Sequence, residues 1–251
     1  MRRFFVDPSK ISEANIIIDE KSDVSHIVNV LRMDVGDKLI VSDMSEFEYT
    51  SQISEISKNE IVLSILDKNY FSGEPEVQVT LFQGIPKSSK MDLIVQKTIE
   101  LGVIKIVPFV SLRTSITKVK DVSPSKIERW RRIAAETVKQ CRRGIVPEVA
   151  NPLTIGAALD TISDFDLAIV LYELEDETSL KDVLRDFLSN NNNSTASNIA
   201  VIIGSEGGLE RQEIEALVLK GAKSVTIGNR ILRTETAGLA AIAMLYYEFE
   251  L

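Results

Sequence analysis

Apolar and polar positions change rhythm once along this chain, near residue 70. Before that point short apolar runs recur: Phe4-Phe5-Val6, Ile16-Ile17-Ile18, Lys38 to Val41, Tyr49 to Ile53 and Glu60 to Ile65. Turn-forming Asp, Gly, Ser and Asn separate them, with Gly36-Asp37 and Lys58-Asn59 as turns, so each run predicts a strand. So many short strands in so little chain predict a small barrel. A helical piece is expected over Asp23 to Leu31, with Ile27, Val30 and Leu31 on its apolar side. The stretch Asn69 to Glu76, containing Ser72-Gly73-Glu74-Pro75, breaks both periods and marks a boundary between domains of residues 1–72 and 73–251.

Beyond the boundary, strands and helices alternate. Val77 to Phe82 predicts a strand ending in the turn Gln83-Gly84-Ile85-Pro86. Ser89 with Asp92 predicts a helix start, Met91, Ile94, Val95 and Thr98 its apolar side, and Gly102 its stop. Val103 to Val107 reads as a strand closed by Pro108. After the polar stretch Ser111 to Pro124, a helix is expected from Ser125 to Arg142, with Ile127, Trp130, Ala134, Thr137, Val138 and Cys141 as its apolar stripe. A strand over Asp166 to Tyr172 and a helix over Leu180 to Leu188 follow, then a low-complexity surface loop from Ser189 to Thr195. Strands at Ile199 to Ile203 and Ser224 to Ile227 flank a helix from Glu210 to Lys220. The last helix, Glu235 to Phe249, is apolar nearly all round and needs burial on more than one side, in the core or at a subunit interface. Such alternation implies an α/β domain whose mostly parallel sheet is covered on both faces.

Composition narrows the chemistry. The chain has 251 residues, 44% of them hydrophobic and 26% charged, as in ordinary soluble proteins. No apolar run reaches transmembrane length and the N-terminus lacks a signal-peptide core, so no membrane partner and a cytoplasmic location are expected. One cysteine, Cys141, excludes an internal disulfide; one histidine, His26, argues against a metal site and against a Ser-His-Asp triad in the C-terminal half. A net charge of −8 argues against a nucleic-acid partner on average, but Lys126 to Arg143 is locally basic. Its polar stripe carries Arg129, Arg132, Lys139 and Arg143, against Glu128 and Glu136 in the same segment. That stripe is either a solvated face or a surface for phosphates.

Two strands run into unusual loops, Gly204-Ser205-Glu206-Gly207-Gly208-Leu209 and Gly228-Asn229-Arg230-Ile231-Leu232-Arg233-Thr234-Glu235-Thr236. The first has neither the lysine and spacing of a phosphate-cradling loop nor the dinucleotide pattern of glycines. Both fall at the carboxyl ends of strands, where open α/β sheets bind ligands, and glycine lets a backbone approach a ligand closely. Each alone would read as a tight turn; together they read as the walls of a small-molecule site.

The chain resembles the bacterial enzymes that methylate N3 of a uridine in small-subunit (16S) ribosomal RNA, of the SPOUT, or trefoil-knot, methyltransferase class. The resemblance covers nearly the whole length. It rests on His26-Ile27-Val28-Asn29-Val30-Leu31-Arg32 with Val35-Gly36-Asp37, on Lys90 to Lys97 with Glu100-Leu101-Gly102-Val103, on Glu128-Arg129-Trp130, Glu136, Gln140, Arg143 and Val146-Pro147-Glu148, and on the two loops. Arg230 to Ala237 is its most specific element. Departures are Ser205 and Asn229, where the family usually has proline, Arg142 in place of a small residue, and Ile145 where an arginine is common.

The resemblance implies a PUA-like RNA-binding β-barrel followed by a SPOUT α/β trefoil-knot domain, an obligate homodimer, and S-adenosylmethionine as cofactor. It places Leu171, Gly204, Glu206, Gly207, Ile227, Gly228, Leu232 and Thr234 around that cofactor. RNA contacts are expected from Arg2, Arg3, Asn29, Arg32, Arg129, Arg132 and Arg143, to 16S rRNA or the small ribosomal subunit. Removing the uracil N3 proton spreads negative charge to O2 and O4, which calls for a cation and a proton acceptor. Arg230, Arg233 and Arg143 are candidates for the cation, and Glu206 or Glu235 for the acceptor; Arg233 and Glu235 could instead pair with each other. A ribose 2′-O-methyltransferase acting on tRNA or 23S rRNA would use the same cofactor fold. A non-catalytic RNA-binding protein is the alternative of another class, and a C5 methyltransferase would need Cys141, whose place on an apolar stripe fits packing.

Overall fold

The short N-terminal runs pair into one five-stranded sheet, in a computed structural model that describes residues 2–45, 47–71, 73–141, 143–191 and 197–250. Its strands are β1 (Arg3–Phe5), β2 (Asn15–Ile18), β3 (Lys38–Ser42), β4 (Phe47–Ile56) and β5 (Ile61–Tyr70), in the order β1-β3-β4-β5-β2. All pairs are antiparallel except β1 with β3. Alternation sends Ile16, Ile18, Leu39, Ile53, Ile61 and Leu63 into one core, where each is almost wholly buried. Full burial of a side chain this size contributes about 1.5–3 kcal/mol.

Between β2 and β3 the expected helix has a different shape. Helix α1 (Lys21–Ser25) widens into a π-helical turn over His26–Val30, closed by the Leu31 N–H donating to His26 O at 2.9 Å. The wider turn carries Val30 away from the side of Ile27, so Ile27 is buried while Val30 is 65% exposed. Arg32 follows with φ 54°, in the left-handed region that non-glycine residues rarely occupy.

Residues 1–74 form one compact unit together with 138–146, and 75–137 with 147–251 form the other. Segment 138–146 is fastened to the first unit by polar contacts. Glu74 Oε1 accepts from the Gly144 and Ile145 N–H groups at 2.9 and 3.1 Å, and Glu74 Oε2 from Arg143 Nε at 3.0 Å. Ser42 Oγ donates to Gly144 O at 2.8 Å, and Lys139 pairs with Asp23 at 3.1 Å. Arg143 therefore departs from its expected place on the polar helix stripe. It lies past the helix end, 5% exposed, because a buried guanidinium needs a carboxylate and Glu74 supplies one. Glu74→Gln keeps an acceptor for the two N–H groups but removes the charge, and is expected to lower unfolding stability by about 2 kcal/mol in urea denaturation.

The second unit contains, in chain order, β6 (Gln78–Gly84), α2 (Lys90–Leu101), β7 (Lys105–Val110), α3 (Pro124–Cys141), β8 (Glu148–Val149), β9 (Leu153–Thr154), α4 (Ile155–Leu159), β10 (Leu167–Leu171), α5 (Leu180–Asn190), β11 (Asn198–Ile203), α6 (Arg211–Leu219), β12 (Lys223–Val225) and α7 (Thr234–Glu250). The sheet runs β12-β10-β11-β6-β7-β8, with β9 also on β7, and every pair in it is parallel, as the alternation predicts. Ala200 and Ile202 of β11 join Ile214 and Leu217 of α6 in one core layer. On the other face Ile203 meets α7 at Gly238, where an added Cβ would lie 3.5 Å from the Ile203 side chain.

Two boundaries are informative. Gly102 stops α2 as expected, with φ +117°, a conformation glycine adopts at little cost. Pro108 does not close β7 but sits inside it, paired with Gln83 of β6. The outer neighbour of β7 changes there, from β8 at Lys105–Ile106 to β9 at Phe109–Val110, so no ladder bond on that side needs the missing N–H. Part of the low-complexity loop, Asn192 to Thr195, lies outside the described residues, as does Arg142.

Candidate active site

The carboxyl ends of β10, β11 and β12 surround a cavity of about 710 Å³, within the second unit. Its apolar walls include Leu171, Ile203, Val225, Ile227 and Leu232. Gly204 to Gly208 forms one side and Gly228 to Thr234 the other, so the two loops singled out in the sequence do meet. Leu171, Gly204, Glu206, Gly207, Ile227, Gly228, Leu232 and Thr234 all line it, as do Arg230 and Arg233. Arg2, Arg3, Asn29 and Arg32 belong to the first unit, as does Arg143.

Close backbone packing fixes the glycine loop. A Cβ on Gly204 would lie 2.8 Å from Gly208 C, and one on Gly84 would lie 2.6 Å from Ser205 N. Beneath the loop, Gln83 at the end of β6 is fully buried; its amide donates to Thr234 Oγ1 at 2.9 Å and to Gly84 O at 3.0 Å. Thr234 Oγ donates in turn to Gly204 O at 2.6 Å, tying the start of α7 to the loop. Sequence reasoning passed over Gln83, although a glutamine ending a buried strand beside glycine is a polar group that must find partners.

Charges at the rim are arranged by Lys90. Its ammonium lies 3.1 Å from a carboxylate oxygen of both Glu206 and Glu235, so Glu235 pairs with Lys90 instead of Arg233. Burial raises the Glu206 pKa, but its own backbone N–H, the Lys87 N–H and Lys90 together outweigh this and hold the carboxyl below its ordinary range. The Glu235 carboxyl is held low by its own backbone N–H against burial, with Lys90 and then the charge of Arg233 assisting. Lys90 is raised by Glu235 first and Glu206 second. The stability these carboxylates contribute is present above their ordinary value of 4.5 and is lost as pH falls through their lowered values. The contribution of Lys90 is full below 10.5 and is lost only as pH rises through its raised value. Lys90→Met is therefore expected to raise the midpoint of acid unfolding, and a midpoint equal to that of the parent chain would contradict the assignment.

Arg230 and Arg233 are exposed and take part in no ion pair among the described residues. Elsewhere, Arg2, Asn29, Arg32 and Arg132 are exposed; Asn29 donates to Ser25 Oγ at 3.1 Å. Arg3 pairs with Glu48 and lies over the Phe71 ring, 5.0 Å from its centroid. Arg129 pairs with Asp92 at 2.7 Å. Arg131 is a staple of the fold, donating to Val149 O at 3.1 Å and to Asn151 Oδ1 at 3.0 Å. No cluster of metal-ligating side chains occurs among the described residues, and no described helix is long and apolar enough to cross a membrane.

Comparison with known proteins places this geometry. Residues 73–246 match the RNA methyltransferase domain family, and residues 18–66 match the RNA methyltransferase PUA domain. The chain is 33% identical to the ribosomal RNA small subunit methyltransferase E of Bacillus subtilis, over 100% of its length and 98% of the relative's. It is similar to the crystal structure of the same-named enzyme from Neisseria gonorrhoeae bound to S-adenosylmethionine, with a TM-score of 0.82 and 29% identity over 98% of this chain and 97% of that one. A methyltransferase from Legionella pneumophila, also with bound S-adenosylmethionine, aligns with a TM-score of 0.78 and 26% identity over 98% and 96% of the two chains. A full-length relative, a matching catalytic domain and a matching PUA domain lead to one assignment: the chain belongs to the ribosomal RNA small subunit methyltransferase E family of RNA methyltransferases.

Proposed function

We propose that this chain methylates N3 of a uridine in 16S ribosomal RNA with S-adenosylmethionine as methyl donor. The observation that carries the reading is the cavity between the two loops: apolar walls for an adenosine, glycines that bring backbone against it, and unpaired arginines at its rim. Four carboxylates, Glu173, Glu175, Asp176 and Glu206, share that rim with Lys90, Arg230 and Arg233, a mixed field that suits a ligand carrying both a sulfonium and an α-amino acid. Two similar structures hold S-adenosylmethionine. Leu171, Ile227 and Leu232 would enclose the adenosine, with Gly204, Gly207 and Gly228 giving close backbone approach.

When bound, the cofactor supplies an electrophilic methyl group, whose bond electrons return to sulfur as the uracil N3 lone pair forms the new bond. The protein's part is positioning and electrostatics. N3 must lose its proton, and the charge that develops on O2 and O4 is met by Arg230 and Arg233. Glu206 and Glu235, held as weak bases by their neighbours, are suited to accept a hydrogen bond from N3–H and orient it, the proton passing to water. Arg2, Asn29, Arg32, Arg129 and Arg132 would contact phosphates. An exposed stripe on α7, Ala243, Met244 (46% exposed) and Tyr247 (67% exposed), would be covered by a second copy of the chain. A trefoil path of the backbone at the cavity belongs to the same reading.

The test is methyl transfer from labelled S-adenosylmethionine to small-subunit rRNA and to assembled subunits, followed by nucleoside mass spectrometry. Label recovered as 3-methyluridine is the expected result. Label on a ribose would move the reading to 2′-O-methylation, and no transfer to either substrate would remove it.

A further inference from the structure

The segment Ser111 to Thr114, which follows β7, grips the glycine loop from outside the cavity. It is itself well held: the Leu112 N–H donates to Glu213 Oε1 at 2.9 Å, and the Ser111 N–H to Thr114 Oγ1 at 3.2 Å. Glu213 is buried and its other oxygen accepts from the Glu210 N–H at 2.8 Å, so the segment is docked on the first turn of α6. Arg113 then reaches in three directions, one of them towards the cavity-lining Glu173, whose Oε1 lies 3.9 Å from Nη1. Its Nε and Nη2 donate to the two oxygens of Glu210 at 2.8 and 3.2 Å, while Nη1 donates to Gly207 O at 3.1 Å. Its own carbonyl accepts from Ser205 Oγ at 3.2 Å.

The approach leaves no slack. A Cβ on Gly207 would lie 2.9 Å from Arg113 Cβ and 3.0 Å from Arg113 O. We infer that Arg113 and Ser205 form a clasp that holds the Gly204–Gly208 loop in its cofactor-binding shape, with Arg113 as a positioning residue. The inference rests on the cavity being the S-adenosylmethionine site. A loop ordered beforehand spares the ligand the entropy of ordering it. Only a planar fork can hold a carboxylate with two donors and a carbonyl with a third, so lysine is no substitute.

Calorimetric titration with S-adenosylmethionine and steady-state kinetics on the full chain test this, with Arg113→Ala, Arg113→Lys and Ser205→Ala variants. Arg113→Ala is expected to weaken cofactor binding, and raise the KM for it, about tenfold, with kcat and the KM for RNA within about twofold of the parent. Ser205→Ala should cost about threefold, as for one neutral hydrogen bond. Full recovery in Arg113→Lys, or a fall in kcat with unchanged cofactor affinity, would overturn the clasp. Hydrogen exchange separates it from the reading on which it rests. The Gly208 N–H donates to Ser205 O at 2.9 Å, and in the unliganded protein its exchange should quicken in Arg113→Ala. Unchanged exchange overturns the clasp whether or not the parent chain binds the cofactor. Failure of the parent to bind with RNA present would overturn the functional reading alone.

Discussion

A Gly204→Val variant is expected to lose saturable S-adenosylmethionine binding and to be destabilised by about 3 kcal/mol. The obstacle is backbone on both sides. A Cβ at Gly204 meets Gly208 C at 2.8 Å and Gly208 Cα and O at 3.0 Å, closer than carbon atoms pack. The loop cannot retreat the other way, because Gly84 of β6 lies against Ser205 N and Gly204 C. Gly204 O must also stay within reach of Thr234 Oγ, which fixes the start of α7. Gly228 is the control. Nothing lies within 4 Å of a Cβ there, and only its φ of +121° resists a side chain, so Gly228→Ala is strained without blocking the opposite wall. Calorimetry and urea denaturation on both variants read the two quantities; wild-type affinity in Gly204→Val would remove the glycine loop from the site.

The alternation of strand and helix, the parallel sheet and the meeting of the two loops were legible because each is a property of local pattern. Period sets which face is buried, and a strand's carboxyl end sets where its loop must fall. What escaped the sequence was partner choice. Arg143 stands in a run of cations, yet a carboxylate 69 positions earlier takes it out of solvent. Glu235 has Arg233 two residues away but pairs with Lys90 across the fold. Arg113 sits in a polar stretch without period, where nothing local marks it as a neighbour of Gly207. Pro108 misleads for a related reason: proline forbids a ladder bond only where a neighbouring strand would ask for one. Spacing along the chain carries no information about such choices, because the approaching group comes from another element.

The same partner choices decide which cations remain for chemistry. Lys90, Arg230 and Arg233 line the cavity, and the ammonium of Lys90 is balanced by Glu206 and Glu235 at 3.1 Å each. Lys90→Met leaves Glu206 and Glu235 without that ion pair beside the developing anion and raises their pKa values, so it should lower kcat at neutral pH. Arg230 and Arg233 form no ion pair among the described residues, although the charge of Arg233 is felt by Glu235. Replacing both with alanine is expected to lower kcat about 10²–10³-fold, the usual loss when the donors facing a developing oxyanion are removed. Each single variant should lose less, since one guanidinium can still reach one uracil oxygen. Cofactor affinity should fall by less than kcat does, because the adenosine walls are formed by Leu171, Ile227 and Leu232. The decisive quantity is kcat at saturating RNA. If it is unchanged while the KM for RNA rises, the arginines hold phosphate in the ground state, and the charge on uracil must be met from elsewhere. If kcat falls at constant KM, their interaction is made in the transition state, which is where a base that has lost its N3 proton carries its charge.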